Sequence, residues 1–173
     1  MSNEDKSKKL KQQIASLRSS NKSAILGTLK ELRSEGDVSI LPELFSLMLI
    51  QEDEEILDEL AKFLNDLKDK EAAEVLAKAV ANPEYEKIQT SLLAACWQNG
   101  LPYGEHISTF VDVVVSGDYS AAIEAFTVIE EALGDLEKEE RASLVGSLKS
   151  KLQQVDEQKK ALFVELIKVI DSY

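Results

Sequence analysis

The single cysteine and single histidine, Cys96 and His106, are the residues best suited to nucleophilic or metal chemistry. A reactive thiol needs a basic setting or a helix N-terminus that stabilises the thiolate. Cys96 lies instead near a predicted helix C-terminus and on its apolar side, so we interpret it as a small buried hydrophobe. His106 has Thr109 and Phe110 at i+3 and i+4, where a helical metal site would carry a second strong ligand. We therefore predict no metal and no cofactor, and interpret His106 as a surface residue or a pH-sensitive contact.

Two acidic clusters, at residues 52–55 and 137–140, could supply paired carboxylates for acid–base catalysis or cation binding. Both fall at predicted helix starts, where carboxylates stabilise the positive end of the helix dipole. The chain has no EF-hand loop, no Glu-x-x-His motif, no phosphate loop and no nucleophile elbow. The sequence therefore predicts a protein that is not an enzyme.

The densest aromatic position is Trp97, followed by Tyr103 across a short loop that contains Gly100 and Pro102. Glycine and proline in this order are typical of a helix end. Trp97 either packs between neighbouring helices or reaches the surface, where Trp and Tyr often dominate an interface. Both interpretations remain open from the sequence.

The charge of the chain is strongly negative and unevenly distributed. With 20 basic and 32 acidic side chains the net charge is -12, which argues against nucleic acid as a partner. Residues 1–33 carry +5, residues 34–140 carry -19 and residues 141–173 carry +2. The middle therefore favours a basic protein or peptide partner, and the short basic N-terminus is where the argument against nucleic acid is weakest. No signal peptide or membrane span is recognisable, so we expect a soluble, cytoplasmic protein that does not bind membranes.

Apolar residues recur at steps of three and four along the chain, the period of amphipathic α-helices. Ile40, Leu44 and Leu47 are followed, after an acidic break, by Ile56, Leu60 and Phe63. Asp53 is a suitable N-cap for the second of these helices, as are Asn82, before Pro83, and Asp118 for later ones. The sequence therefore predicts an all-α protein built from pairs of helices.

Five such helical hairpins cover a single predicted domain, residues 1–173. Their approximate ranges are 5–36, 39–68, 70–101, 104–134 and 138–173. First helices begin 31 to 34 residues apart, and a fixed period of this size is typical of a solenoid whose stacked units share one core. Gly27 and Gly146 fall inside predicted helices, where we expect a close neighbouring helix to require them.

The run ILPELFSLMLIQEDEEILDELAKFL, residues 40–64, resembles a HEAT repeat. The resemblance rests on Pro42, Leu44 and Leu47, the acidic turn at Asp53, and the apolar residues of the second helix. Another 34-residue helical repeat, the tetratricopeptide type, has Trp, Gly-Tyr and Pro positions that this chain does not reproduce. The HEAT resemblance implies a right-handed α-α superhelix whose second helices line a concave, protein-binding face.

We therefore expect a non-enzymatic scaffold that binds a protein or peptide on this face. The predicted contact residues are Asp58, Lys62, Thr90, Trp97 and Tyr103. Two alternatives remain open. One is a HEAT-like enzyme or nucleic-acid-binding protein, of the DNA glycosylase or tetrapyrrole lyase kind, and the other is a structural protein that associates with itself.

Overall fold

The computed structural model describes residues 3–35 and 37–173, and every regular element in these ranges is helical. The all-α prediction is thus confirmed. The described α-helices are α1 (Asn3–Leu17), α2 (Lys22–Glu35), α3 (Leu41–Ile50), α4 (Glu54–Asn65), α5 (Glu71–Ala81), α6 (Gln89–Asn99), α7 (Ile107–Ser116), α8 (Tyr119–Ala132), α9 (Lys138–Lys151) and α10 (Lys160–Ser172). Two of them fall in each predicted hairpin range, except that α1 begins two residues before the first range. Position 36, the end of that range, lies outside the described residues.

Two of the predicted caps begin α-helices where the sequence places them. The Asp53 carboxylate accepts hydrogen bonds from the amides of Glu55 and Ile56 at 3.1 and 3.3 Å. Asp118 accepts one from the amide of Ala121 at 2.8 Å. Each carboxylate satisfies amides that the first helical turn leaves without partners.

Asn82 does cap a helical segment, but not the one we predicted. It accepts from the Glu84 amide at 3.0 Å and starts a 3-10 helix, Pro83–Ile88, so that α6 begins only at Gln89. Within that segment Tyr85 packs edge-to-face on Phe45 of α3, with ring centroids 5.5 Å apart. An aromatic contact with the preceding hairpin thus accompanies the tighter winding.

The second helices of the hairpins form a row, and one core is shared along the chain. The second helices of the hairpins contact one another in chain order, α2 on α4, α4 on α6, α6 on α8 and α8 on α10. Among the first helices, α1 contacts α3 and α5 contacts α7. The apolar residues predicted for the second and third hairpin ranges are buried, including Leu44, Leu60, Leu76 and Leu92. One cluster of buried side chains runs from Leu17 to Ile170.

Polar bonds between consecutive hairpins recur at a separation close to the sequence period. They join residues 31 or 33 positions apart: Lys22 with Asp53, Arg33 with Asp66, Asn65 with Gln98, Lys68 with the Asn99 carbonyl, and the Gly104 amide with Asp135. The neighbouring hairpins are thus connected at similar positions along the middle of the chain.

The last hairpin docks differently. Lys159 is only 3% exposed, and its ammonium donates to the carbonyls of Val115 at 2.7 Å and Gly117 at 2.6 Å, more than 40 residues away. These carbonyls lie at the end of α7, where a positive charge is favourable. The buried side of α10 is formed by Phe163, Leu166 and Ile170.

The expectation that Gly27 and Gly146 are close-packing positions is also wrong. A Cβ atom built at either residue would meet no heavy atom within 4 Å. Gly117 is the opposite case, because a Cβ there would lie 2.7 Å from the carbonyl oxygen of Val113. Gly27 and Gly146 thus carry the helix penalty of glycine without a packing reason in this structure.

We predict that Gly27→Ala and Gly146→Ala each stabilise the protein by about 1 kcal/mol, because alanine restricts the unfolded chain and suits a helix interior. Each should raise the melting temperature by about 2–4 °C in a thermal unfolding scan. Gly117→Ala is the control and should lower it, because the new methyl group must displace Val113. Destabilisation by the Gly27 or Gly146 variant would contradict the prediction.

Candidate functional site

The candidate site is the exposed side of α4, α6 and α8, which we call the second-helix face. Its exposed residues are Asp58 and Lys62 on α4, Thr90, Ser91 and Gln98 on α6, and Tyr119, Ile123, Glu130 and Glu131 on α8. Consecutive helices of this row touch, and their buried sides contribute to the common core. The face is therefore a continuous surface built from three hairpins.

Asp58, Lys62 and Thr90, three of the predicted contact residues, are exposed on this face. The Lys62 ammonium lies 2.7 Å from a carboxylate oxygen of Glu59, one turn earlier on α4. That hydrogen bond raises the pKa of Lys62 and lowers the pKa of Glu59. The charge of Lys62 is thus already paired within its own helix, while both partners stay accessible to water.

Trp97 lies in the seam between α6 and α8. It is partly buried and packs against the core, and its indole N–H donates to a carboxylate oxygen of Glu124 at 2.7 Å. The structure therefore combines the two interpretations left open by the sequence: the ring packs between hairpins, and one part of it remains accessible beside the face.

Tyr103, the fifth predicted contact residue, is part of the core and offers no surface to a partner in this conformation. It is 2% exposed, and its ring stands edge-to-face on Phe110 with centroids 5.5 Å apart. Its hydroxyl donates to Asn99 Oδ1 at 3.2 Å, inside the protein. Burial follows because the loop after α6 turns back over the core and carries the ring inward.

Asn99 is the centre of a buried polar network at the end of α6. Its Nδ2 donates to the Leu64 carbonyl at 3.3 Å, and its Oδ1 accepts from the Leu101 amide at 3.0 Å as well as from Tyr103. The side chain thus ties the C-terminal end of α4 to the loop that leads into the next hairpin. Gly100, at φ 65°, permits the left-handed turn that brings the loop back.

Cys96 is buried beside this network, as the sequence predicts. Burial raises the pKa of the thiol to about 12, since the thiolate would lose its hydration, although a hydrogen bond with Tyr103 acts in the opposite direction. The thiol is consequently protonated at neutral pH and is poorly suited to nucleophilic chemistry.

A groove lies where two of the first helices, α5 and α7, begin. This acidic groove has a volume of about 700 Å³ and is lined by Lys70, Glu71, Glu74, Pro102, Gly104, Glu105, His106 and Asp135. Glycine at position 104 allows the backbone to approach Asp135 closely, because a Cβ at that residue would lie 2.8 Å from the Cβ of Asp135. Lys78, and more weakly His106, hold the pKa of Glu74 below its usual value. Among residues 3–35 and 37–173, no group of three or more His, Cys, Asp or Glu side chains is placed to hold a metal ion.

The basic charge of the first hairpin is partly used inside the molecule. Arg18 makes a two-pronged ion pair with Glu43 on α3, at 2.6 and 2.7 Å. Lys22 pairs with Asp53 at 2.9 Å and with Glu55 at 2.7 Å. These pairs neutralise carboxylates of the second hairpin, which lowers the charge available to partners at that end.

Further along the chain the negative charge has no such local compensation. Residues 88–137 contain eight Asp or Glu residues and no Lys or Arg. In the structure Asp112 is reached by Lys151 at 2.8 Å, whereas Glu130 and Glu131 lie exposed on α8. The α8 part of the second-helix face thus carries carboxylates and no basic residue of its own, whereas α4 contains Lys62.

Our sequence prediction omitted the exposed apolar residues of α8, Tyr119 and Ile123. The sequence contains a signal for them, because an apolar line at helical spacing runs through Ala122, Phe126 and Ile129 and leaves both residues beside it. The pattern could not show that no neighbouring element covers them.

Comparison with protein-family models finds no match for this chain, and comparison with curated proteins finds none either. Within the described part of the chain, no helix has both the length and the apolar character needed to cross a membrane.

We predict that Asn99→Ala destabilises the protein by about 2–4 kcal/mol, because it removes the buried hydrogen bonds of the Asn99 side chain to the Leu64 carbonyl, the Leu101 amide and the Tyr103 hydroxyl. Gln98→Ala is the matched control. Gln98 is exposed and its side chain accepts a hydrogen bond from Asn65 across the surface, so its loss should change stability by no more than about 0.5 kcal/mol. Urea unfolding at neutral pH measures the free energy of unfolding of both variants. Equal losses of stability would contradict a stabilising role for the buried hydrogen bonds of Asn99.

A second prediction concerns acid stability. The hydrogen bond from Lys22 holds the pKa of Asp53 below its ordinary 3.8. A carboxyl with a depressed folded pKa stabilises the protein above its unfolded pKa, and this contribution is lost as the pH falls through the folded pKa. Wild type should therefore exceed Asp53→Asn in stability near neutral pH, and the difference should shrink below about pH 4.

Urea unfolding across this pH range measures the difference. Asparagine is itself a good N-cap, so the comparison reports the charge rather than the cap. In a Lys22→Met background the same difference should already be small at neutral pH. A difference that does not change with pH would contradict the ion pair.

Proposed function

We propose that this protein is a HEAT-like α-solenoid that acts as a non-enzymatic scaffold and binds a protein or peptide through its second-helix face. The observation that carries this proposal is the recurrence of hairpin-to-hairpin bonds 31 or 33 residues apart, together with the row of second helices in chain order. Repeated units stacked in this way expose a long surface that grows with each unit, which suits the binding of another chain.

Charge supports a basic partner. Residues 34–140 carry -19, and the accessible carboxylates on α8 have no basic residue within that helix. Such a surface attracts basic proteins or peptides, with an association that weakens as salt rises, and repels the phosphates of nucleic acid. A cytoplasmic location belongs to the same proposal and rests on the sequence alone.

The alternatives have less in their favour. A HEAT-like glycosylase would need a basic groove for DNA, whereas the acidic groove is lined by four carboxylates and one lysine. A HEAT-like lyase shares only the proposed fold with this chain. Self-association remains an outcome that the experiments below can detect.

A position-specific crosslinking experiment in cells of the source organism tests the proposal. A photo-reactive amino acid is placed at Lys62, Thr90 or Glu130, one exposed position on each of α4, α6 and α8. We expect all three positions to give the same adduct, because a single partner would lie across the three helices.

Three exposed positions on the first helices serve as matched controls: Ser46, Lys78 and Ser108. They should give no adduct of that size. Adducts from the control positions alone, or no adduct from any second-helix position, would overturn the proposal.

A further inference from the structure

Two large apolar side chains on α8 are unusually exposed. Tyr119 is 50% exposed and Ile123 is 41% exposed. The other exposed large apolar residues among those described are Ile50, Val164 and Tyr173. Ile50 ends α3 at a turn, and Tyr173 is the last residue, with the Arg141 guanidinium 5.0 Å from its ring centre. Tyr119 and Ile123 are thus the one pair of this set that shares a helix.

These two residues stand on the same side of α8, because residues four apart on a helix are neighbours. Trp97 reaches the adjacent side of the helix, where its indole N–H bonds to Glu124, the residue next to Ile123. Tyr119 and Ile123 therefore lie together on α8, and Trp97 of α6 bonds to the residue that follows Ile123. Clusters of this composition supply much of the affinity of protein interfaces.

The exposed side of α8 around the pair carries carboxylates and no basic side chain. Asp118 precedes Tyr119, and Glu130 and Glu131 continue the exposed side of α8 toward its C-terminal end. No Lys or Arg occurs anywhere on α6 or α8. A ligand that covers the pair must consequently place apolar groups over Tyr119 and Ile123 and positive groups over the flanking carboxylates.

We infer that Tyr119 and Ile123 are the principal contact of the second-helix face, and that they bind an amphipathic helix of a partner with one apolar side and flanking Lys or Arg residues. This inference rests on the proposed function and assigns the chemistry of its partner. A helix fits because its apolar residues also recur at intervals of three and four, and lie against a helical ridge. A second copy of this chain fits less well, because the apolar residues of its own basic helix α1, Leu10, Ile14 and Leu17, already pack in the core.

A synthetic peptide is the probe. It has about 18 residues, forms an amphipathic helix with leucine on one side and lysine on the other, and carries a fluorophore. Fluorescence anisotropy measures its binding to the full-length protein. We expect Tyr119→Ser and Ile123→Ser each to weaken binding by about tenfold, and binding to weaken further as salt rises from about 50 to about 300 mM.

Ile50→Ser is the matched control. It removes the most exposed large apolar side chain described, at 77%, but lies outside the second-helix face. Its affinity for the peptide should match wild type. A peptide with glutamate in place of every lysine should not bind. Equal losses from Ile50→Ser and Ile123→Ser, or equal binding of the glutamate peptide, would overturn the inference.

Light scattering of the protein alone tests whether a second copy of this chain covers Tyr119 and Ile123 instead. A dimer that Ile123→Ser converts to a monomer would mean that a second copy covers the pair, and would overturn the assignment to a basic helix.

Failure of this inference is distinguishable from failure of the proposed function. If crosslinking from α4, α6 and α8 succeeds while Ile123→Ser leaves peptide binding unchanged, the scaffold stands and its principal contact lies elsewhere on the face.

Discussion

The buried amide of Asn99 is the interaction on which the middle of this protein depends. An amide in the core is costly unless its donors and acceptor are satisfied, and Asn99 satisfies them with the Leu64 carbonyl, the Leu101 amide and the Tyr103 hydroxyl. The bonds fix the end of one hairpin against the start of the next loop. They also hold Tyr103 inward, and so position the loop from which α7 and then α8 follow.

The charges follow from the same stacking. Where the basic first hairpin lies on the acidic second, Arg18, Lys22 and Arg33 pair with its carboxylates. No comparable set of basic residues exists between residues 88 and 137, so the carboxylates of α8 remain on the surface. Individually such exposed charges contribute little to stability, but together they create a field that selects partners. The net charge of -12 is therefore unevenly distributed over the surface: it is partly neutralised at the first hairpin and concentrated in the middle of the chain.

The candidate site was predictable in part. Helical period alone placed Asp58, Lys62 and Thr90 on the exposed sides of second helices, and the structure has them there. It could not place Tyr103, because the residue belongs to a loop whose path depends on a hydrogen bond with Asn99 rather than on any period. Nor could it identify Tyr119 and Ile123, because exposure of an apolar residue depends on which element, if any, packs over it.

The sequence by itself determined that the described chain is helical, where most helices begin and end, and which side of each central helix is apolar. These properties are local, since they depend on residue spacing, caps and glycine or proline positions within a few turns. Only the tertiary structure decided that Trp97 spans two hairpins, that Gly27 and Gly146 have no close neighbour, and that Lys159 attaches the last hairpin to the end of α7. Each of these depends on contacts between residues distant in sequence. A local sequence pattern does not show which distant residue packs against a given side chain.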